Sequence, residues 1–258
     1  MLSAKVLVSV AGAATLSAVL VSAASPERAA PRASDGKPDL SGIWNKRLHM
    51  NIAQGIEPLP FTPAGLKAFN DVWSRVDPTS ECLFPGVPRV MDEPHPFQIV
   101  QLPDKVIVLY EYMHNFRVVP TDGRPHAKDK DEDPALMGHS VGRWENDTLI
   151  VDAVGFTDRT YLDPHGNRHS DALHVIERFS RPDYDTLDYQ VTIDDPKFYT
   201  RPWTVGWTIP LAPADWQLME YDCTENNKDF VEGHLGLGPL DGSPRDGSAI
   251  APPRPQRK

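Results

Sequence analysis

An amphipathic helix is predicted near residue 63 from the spacing of apolar positions. Within residues 63–76, apolar side chains recur three or four positions apart: Leu66, Phe69, Val72, Trp73 and Val76. Thr62 can cap this helix, and Pro63 suits its first position, where the missing N–H costs no hydrogen bond. We therefore predict one helix over residues 63–76 that packs through its apolar face.

Most of the remaining sequence carries the short apolar runs and alternating patterns that are typical of β-strands. The predicted strands are 97–102, 105–112 (continuing to 119), 140–145, 148–156, 173–180, 187–193, 204–210 and 217–223. Pro103-Asp104 and Asn146-Asp147 separate two pairs of these runs, as short hairpin turns do. We predict an all-β fold, an antiparallel lipocalin-like β-barrel or a sandwich, with one accessory helix.

The two ends of the chain differ in composition from its middle. Residues 1–24 hold one basic residue, an apolar run and small residues at the end, which predicts a cleaved signal peptide. A membrane anchor is the alternative, but no basic cluster follows the run. Residues 25–37 and 236–258 are predicted to be a disordered leader and tail, which leaves 38–235 as a single domain. We expect a periplasmic or secreted protein with no membrane contact after signal cleavage.

Export changes the interpretation of the two cysteines. Cys82 and Cys223 lie 141 positions apart in a chain that has no other cysteine. Exported proteins fold where thiols oxidise. A catalytic thiol is the competing interpretation, and it would need a spare cysteine and a partner base. We predict a disulfide between the two.

Charge narrows the classes of function. The chain has 26 Lys and Arg residues against 36 Asp and Glu residues, which gives a formal net charge of −10. Binding to nucleic acid or to anionic lipid needs a basic surface. Glycine-rich nucleotide-binding motifs are also missing from the sequence. We therefore predict neither a nucleic-acid partner nor a cofactor.

Acidic residues interrupt strands that otherwise look buried. Glu111, Asp152 and Glu177 each lie within an apolar run. An isolated carboxylate in an apolar interior costs several kcal/mol, so each needs a partner. One interpretation is structural ion pairs or a wet sheet face, with Arg117, Arg143 and Arg178 as partners. The other is a shared polar cavity that faces a ligand.

Strand alternation also predicts which of these residues share one face of a strand. Glu111 would share a strand face with Ile107 and Leu109. A two-residue turn at Asn146-Asp147 would place Val141 opposite Asp152. If these residues line one cavity, the candidate catalytic residues are Glu111, His139, Asp152 and His174. The candidate substrate-binding residues are Arg117, Arg143, Tyr110, Trp144, Glu177 and His169.

Histidines in the segment 165–174 suggest a third kind of site. The possible imidazole and carboxylate ligands there are His165, His169, Asp171 and His174. Their spacing matches no tight metal-ligand signature. We therefore assign no metal ligands and keep metal binding as an alternative.

Several segments of the chain resemble a family of secreted bacterial proteins to which no reaction is assigned. They are PDLSGIW at 38–44, GHSVGRWENDTLIVD at 138–152, Asp194-Asp195-Pro196 and Pro202-Trp203-Thr204. The resemblance implies export and a shared fold. Gly42 and Trp44 are also similar to the opening of the lipocalin sequence pattern.

Together these observations predict an exported β-barrel protein that binds a small organic molecule in a partly polar cavity. Cofactor-free acid–base catalysis of the lyase, isomerase or cyclase type is one form of this function. A non-catalytic ligand carrier or sensor with an aromatic cavity is the alternative, and a metal-binding protein is another. The sequence leaves the substrate and the oligomeric state open.

Overall fold

The computed structural model describes residues 28–56, 58–74, 77–128 and 133–225. The predicted signal peptide (1–24) and the predicted C-terminal tail (236–258) lie outside the described residues. Within these described ranges, no helix is long and apolar enough to cross a membrane.

The first sheet has four antiparallel strands in sequence order. They are β1 (Gly42–Trp44), β2 (Phe97–Leu102), β3 (Lys105–Tyr110) and β4 (Asn115–Pro120). Along β3, Val106, Val108 and Tyr110 are buried, whereas the residues between them are half-buried. This alternation turns one face of the sheet towards the core, because side chains of successive strand residues point to opposite faces.

The second sheet has five antiparallel strands, also in sequence order. They are β5 (His139–Glu145), β6 (Thr148–Val154), β7 (His174–Ser180), β8 (Thr186–Asp194) and β9 (Trp203–Pro210). In β8 the buried residues again alternate: Leu187, Tyr189, Val191 and Ile193. The β5–β6 register places Val141 opposite Asp152, as the two-residue turn predicts.

The inner faces of the two sheets share one hydrophobic core. Side chains from both sheets border one small void of about 10 Å³: Ile99, Val106, Val108 and Val119 from the first, and Leu149, Val151 and Phe179 from the second. The all-β, antiparallel prediction is confirmed. Among the described residues the strands form two separate sheets and no closed barrel, which fits the sandwich alternative.

The helix is shorter than its apolar pattern predicts. It spans Pro63–Asn70 and continues as a 3₁₀ turn over Asp71–Ser74. Thr62 caps it, because its hydroxyl oxygen accepts a hydrogen bond from the Gly65 N–H at 3.0 Å. A side chain at Gly65 would place its Cβ 2.0 Å from the carbonyl oxygen of Phe198, so the helix contacts the domain through its backbone. Its Leu66 side chain is 48% exposed, contrary to the predicted packing.

One predicted strand segment is interrupted, and another is not a strand. The run predicted to continue from 105 to 119 is divided after β3, because Met113 and His114 take left-handed backbone angles. Residues 217–223 are irregular, since backbone N–H groups there bond to side chains. The Met219 N–H donates to Oε2 of Glu111 at 2.8 Å, and the Tyr221 N–H donates to Nε2 of His114 at 2.9 Å.

Part of the predicted disordered leader contacts the second sheet. Arg28 pairs with Asp185 at 2.9 Å, and Arg32 pairs with Asp147 at 2.6 Å. Isolated β-bridges join Ala29 to Asp183 and Arg32 to Pro38. Residues 28–37 therefore have defined partners, and residues 25–27 lie outside the described part of the chain.

The predicted disulfide between Cys82 and Cys223 is present. It ties the loop that follows the 3₁₀ turn Pro78–Glu81 to the irregular segment after β9. The bond closes a sequence separation of 141 residues. Such a cross-link restricts the unfolded chain strongly, because a long loop loses much conformational freedom on closure.

We expect the double variant Cys82→Ala/Cys223→Ala to lose about 4–5 kcal/mol in free energy of unfolding. The loss follows from the freedom that the unfolded chain regains. Urea denaturation of the oxidised wild type and of the variant at one pH measures it. A loss below about 1 kcal/mol would contradict the expectation.

Candidate functional site

A buried ion pair links the inner faces of the two sheets. Nη1 of Arg117 on β4 lies 2.6 Å from Oε2 of Glu177 on β7, and the side chains are 4% and 0% exposed. The Tyr189 hydroxyl donates to Oε1 of Glu177 at 3.0 Å. Nε of Arg117 donates to the Ser140 hydroxyl at 2.9 Å. Glu177 thus has the arginine partner that its burial requires, and of the three arginines expected as partners it is Arg117.

Tyr110 lies beside this pair, at the end of β3. Its hydroxyl donates to the sulfur of Met91 at 3.7 Å. Burial raises the pKa of Tyr110, which keeps the phenol protonated next to Arg117. Three of the predicted ligand-binding residues, Tyr110, Arg117 and Glu177, are therefore brought together in the interior.

A groove opens between β4 and the start of β5, the two strands that end their sheets on this side. We call this cavity, of about 310 Å³, the β4–β5 groove. Its lining includes Phe84, Phe116, Arg117, Val118, Met137 and Ser140. Phe116 and Val118 are 61% and 42% exposed, so the groove has apolar walls that meet solvent. Nη2 of Arg117 is buried and has no hydrogen-bond partner among the described residues.

Glu111 lies in a different environment from the one that its strand pattern predicts. It follows β3 in a helical turn, so strand alternation no longer sets its direction. The residue is 4% exposed, and Oε2 accepts the Met219 N–H. The prediction that Glu111 shares a strand face with Ile107 and Leu109 is therefore wrong.

Glu111 belongs to a cluster of buried charged residues that the sequence pattern did not reveal. We call it the loop cluster, and its members are Lys46, Asp92, Glu93 and Glu111. Nζ of Lys46 donates to the carbonyl oxygen of His95 at 2.6 Å. Burial lowers the pKa of Lys46 to about 7, against the attraction of the three carboxylates. Of the three carboxylates, only Glu93 has a buried arginine partner among the described residues, Arg89, at 2.9 Å.

Asp92 is the second group of this cluster with a pKa near neutrality. Its side chain is 1% exposed, and burial raises its pKa to about 7. Both the backbone N–H and Nδ1 of His49 contact the carboxylate, and these contacts oppose the shift. No periodicity marks these residues in the sequence, because they lie in loops that are joined only by the fold.

Asp152 lies on the opposite face of the second sheet from Glu177. Glu177 pairs with Val151 in the β6–β7 register, and adjacent residues of a strand point to opposite faces. Nε2 of His126 and Nε2 of His174 both contact Oδ1 of Asp152, at 2.9 and 3.0 Å. The structure thus brings the predicted Asp152 and His174 together, and adds His126 from a loop.

The other predicted site residues are dispersed. His139 donates from Nε2 to the carbonyl oxygen of Asp133 at 2.8 Å. Arg143 is exposed and bonds to Glu145 at 2.7 Å. Trp144 is half-buried, with the Lys37 ammonium 5.5 Å from its ring centre.

His169 is a buried structural histidine. It donates from Nδ1 to the carbonyl oxygen of Ser170 at 3.0 Å and accepts the Thr160 hydroxyl at Nε2, 2.8 Å away. Burial lowers its pKa. The other possible metal ligands of the segment 165–174 have separate partners. Over the described ranges, no group of three His, Cys, Asp or Glu residues is placed to hold a metal ion.

The four predicted catalytic residues therefore do not form one constellation. Glu111 lies in the loop cluster, Asp152 and His174 lie on the outer face of the second sheet, and His139 binds a loop carbonyl. No protein-family model, curated protein or solved structure matches the chain.

We expect Arg117→Met to lower the free energy of unfolding by about 3–5 kcal/mol, because it leaves the Glu177 carboxylate buried without a cation. The double variant Arg117→Met/Glu177→Gln should lose clearly less than the sum of the two single variants. Urea denaturation of the four proteins measures this coupling. Arg143→Met, which breaks an exposed pair, is the control and should cost less than about 1 kcal/mol. Additive losses in the cycle would contradict the expectation.

We expect stability to fall as the pH rises through the titration range of Asp92. Its folded pKa of about 7 exceeds the ordinary value of 3.8, so the folded state holds the extra proton between these values. The stabilisation is full below 3.8 and is lost as the pH approaches 7, by an amount of about 4 kcal/mol. Asp92→Asn should remove this fall, whereas the exposed control Asp215→Asn should retain it. Urea denaturation at several pH values tests both, and an unchanged slope in Asp92→Asn would refute the assignment.

Proposed function

We propose that the protein binds a small, largely apolar organic carboxylate in the β4–β5 groove. The observation that carries this proposal is the buried guanidinium of Arg117, which lines the groove and keeps Nη2 without a partner among the described residues. A buried donor without an acceptor is costly, so a ligand oxygen there gains a strong, charge-assisted hydrogen bond.

The walls of the groove define the rest of the ligand. Phe84, Phe116 and Met137 offer apolar surface, and a cavity of about 310 Å³ is at the small end of ligand sites. Glu177 pairs with Nη1 of Arg117, so Nη2 is the charged donor that remains for the carboxylate of the ligand. A short acyl chain or a single aromatic ring with a carboxylate has this chemistry.

Carrier function is favoured over catalysis in this groove. Besides Arg117, the polar groups of the lining are amide and hydroxyl groups, such as those of Asn115 and Ser140. Cofactor-free acid–base chemistry is the second candidate function, and it belongs to the loop cluster. A lysine and a carboxyl group that both titrate near pH 7 can exchange protons under neutral conditions.

The compartment in which the protein acts is part of the proposal. The disulfide supports folding in an oxidising compartment, such as the periplasm or the medium. The resemblance to secreted bacterial proteins agrees with export, and membership of that family is a proposal too.

We expect the groove to bind the fluorescent probe 1-anilinonaphthalene-8-sulfonate, and octanoate to displace it. Octanol, which has the same chain without the carboxylate, should displace the probe much less effectively. Phe116→Ser should weaken octanoate binding about tenfold, because it removes an apolar wall. Fluorescence titration at neutral pH measures both effects.

The matched control is Met219→Ser, which removes an equally exposed apolar side chain outside the groove. Equal losses in the two variants, or equal displacement by octanol and octanoate, would contradict the proposal. Octanoate recovered unchanged after incubation is the result expected of a carrier, and chemical conversion of it would favour a catalyst.

A further inference from the structure

A larger cavity lies beside the disulfide and shares no lining residue with the β4–β5 groove. We call it the disulfide cleft; its volume is about 480 Å³. One wall is the 3₁₀ turn Pro78–Glu81 with Cys82 and Leu83, and the other wall belongs to the loop between β6 and β7. Because it is wide and open to solvent, the cleft can admit a molecule of peptide size.

Charged side chains of both signs line this cleft. Arg159 and Arg168 supply two guanidinium groups, and Glu81 and Asp158 supply two carboxylates. Within the described part of the chain, none of the four forms an ion pair, so the opposite charges face one cavity without neutralising each other. A ligand that carries both a negative and a positive charge can pair with the two arginines and with the two carboxylates.

The position of Arg168 is fixed by the loop that carries it. A β-bridge joins Tyr161 to Arg168, and the Arg168 guanidinium lies 5.1 Å from the centre of the Tyr161 ring. The buried carboxylate of Asp163 accepts the N–H groups of Gly166 and Asn167, at 2.9 and 3.0 Å, and so holds the turn between them. The guanidinium is therefore presented on a rigid support.

Arg168 also has an unused donor. Its Nε is buried and has no hydrogen-bond partner in the described ranges. A guanidinium that stacks on a ring leaves its planar edge free of the ring, and that edge can bind a carboxylate through two parallel hydrogen bonds. This observation is independent of the mixed charge of the walls.

We propose that the disulfide cleft binds a small zwitterion, namely a short peptide with free termini. Its carboxylate pairs with Arg168 and Arg159, and its ammonium group pairs with Glu81 and Asp158. A ligand with only one charge would leave one pair of side chains unmatched. Because its residues do not line the β4–β5 groove, this proposal can be supported or refuted independently of the function proposed above.

The test uses the full chain with its disulfide intact and the dipeptide L-alanyl-L-alanine as the probe. Isothermal titration calorimetry at neutral pH should show binding of the dipeptide. N-acetylation removes the ammonium charge, and C-amidation removes the carboxylate. Each capped form should bind at least about tenfold more weakly than the dipeptide with free termini. Octanoate, the probe of the groove, should not compete with the dipeptide.

Two exposed residues allow the roles to be separated without disturbing the fold. Arg159→Gln should weaken dipeptide binding about tenfold and reduce the penalty of C-amidation. Glu81→Gln should instead reduce the penalty of N-acetylation. Arg143→Gln, an exposed arginine outside the cleft, is the control and should bind like the wild type. Absence of dipeptide binding at millimolar concentration, or equal binding of the capped forms, would overturn the proposal.

Discussion

The buried ion pair of Arg117 and Glu177 is the constraint on which the arrangement of the two sheets depends. Each partner belongs to a different sheet, and both are almost completely removed from solvent. A shift of either strand by one residue would turn its charge to the other face and leave its partner buried alone. The pair therefore fixes the register of β4 and β7 relative to the core.

The same constraint creates the groove. Because Arg117 points inward, its neighbours Phe116 and Val118 point outward along the edge of the first sheet. The edge of β5 lies beside them, and Ser140 accepts the Arg117 Nε–H from that side. A single alternating strand thus supplies both the polar floor and the apolar walls of the proposed ligand site. Arg117 thus holds the ion pair of the core and is also the residue on which the proposed function rests.

Outside the sheets, buried charged residues lie where several loops contact one another. The loop cluster combines residues that follow β1, precede β2 and follow β3, and the segment after β9 covers Glu111 with a backbone N–H. The disulfide anchors that segment at Cys223. Within this cluster, burial lowers the pKa of Lys46 and raises that of Asp92.

Local patterns in the sequence predicted those features of the fold that depend on residues close together in the chain. Apolar alternation identified most of the strands, and the Asn146-Asp147 turn gave the β5–β6 register. The helix start followed from Thr62 and Pro63. The need of Glu177 for an arginine also followed from its burial, since an unpaired carboxylate is too costly in a core.

Which distant residues meet was decided only by the tertiary structure. The left-handed backbone at Met113 and His114 broke the alternation that placed Glu111, and a single such break reverses every later assignment of faces. Asp152 and Glu177 fell on opposite faces of one sheet, so the predicted catalytic Asp152 and the predicted substrate-binding Glu177 could not line one cavity. Lys46 and Asp92 carry no periodic signal, because loop residues become neighbours through the packing of the sheets and not through their spacing in the chain. The sequence thus determined most of the strands and the disulfide, and the packing of the two sheets determined which residues meet in the candidate sites.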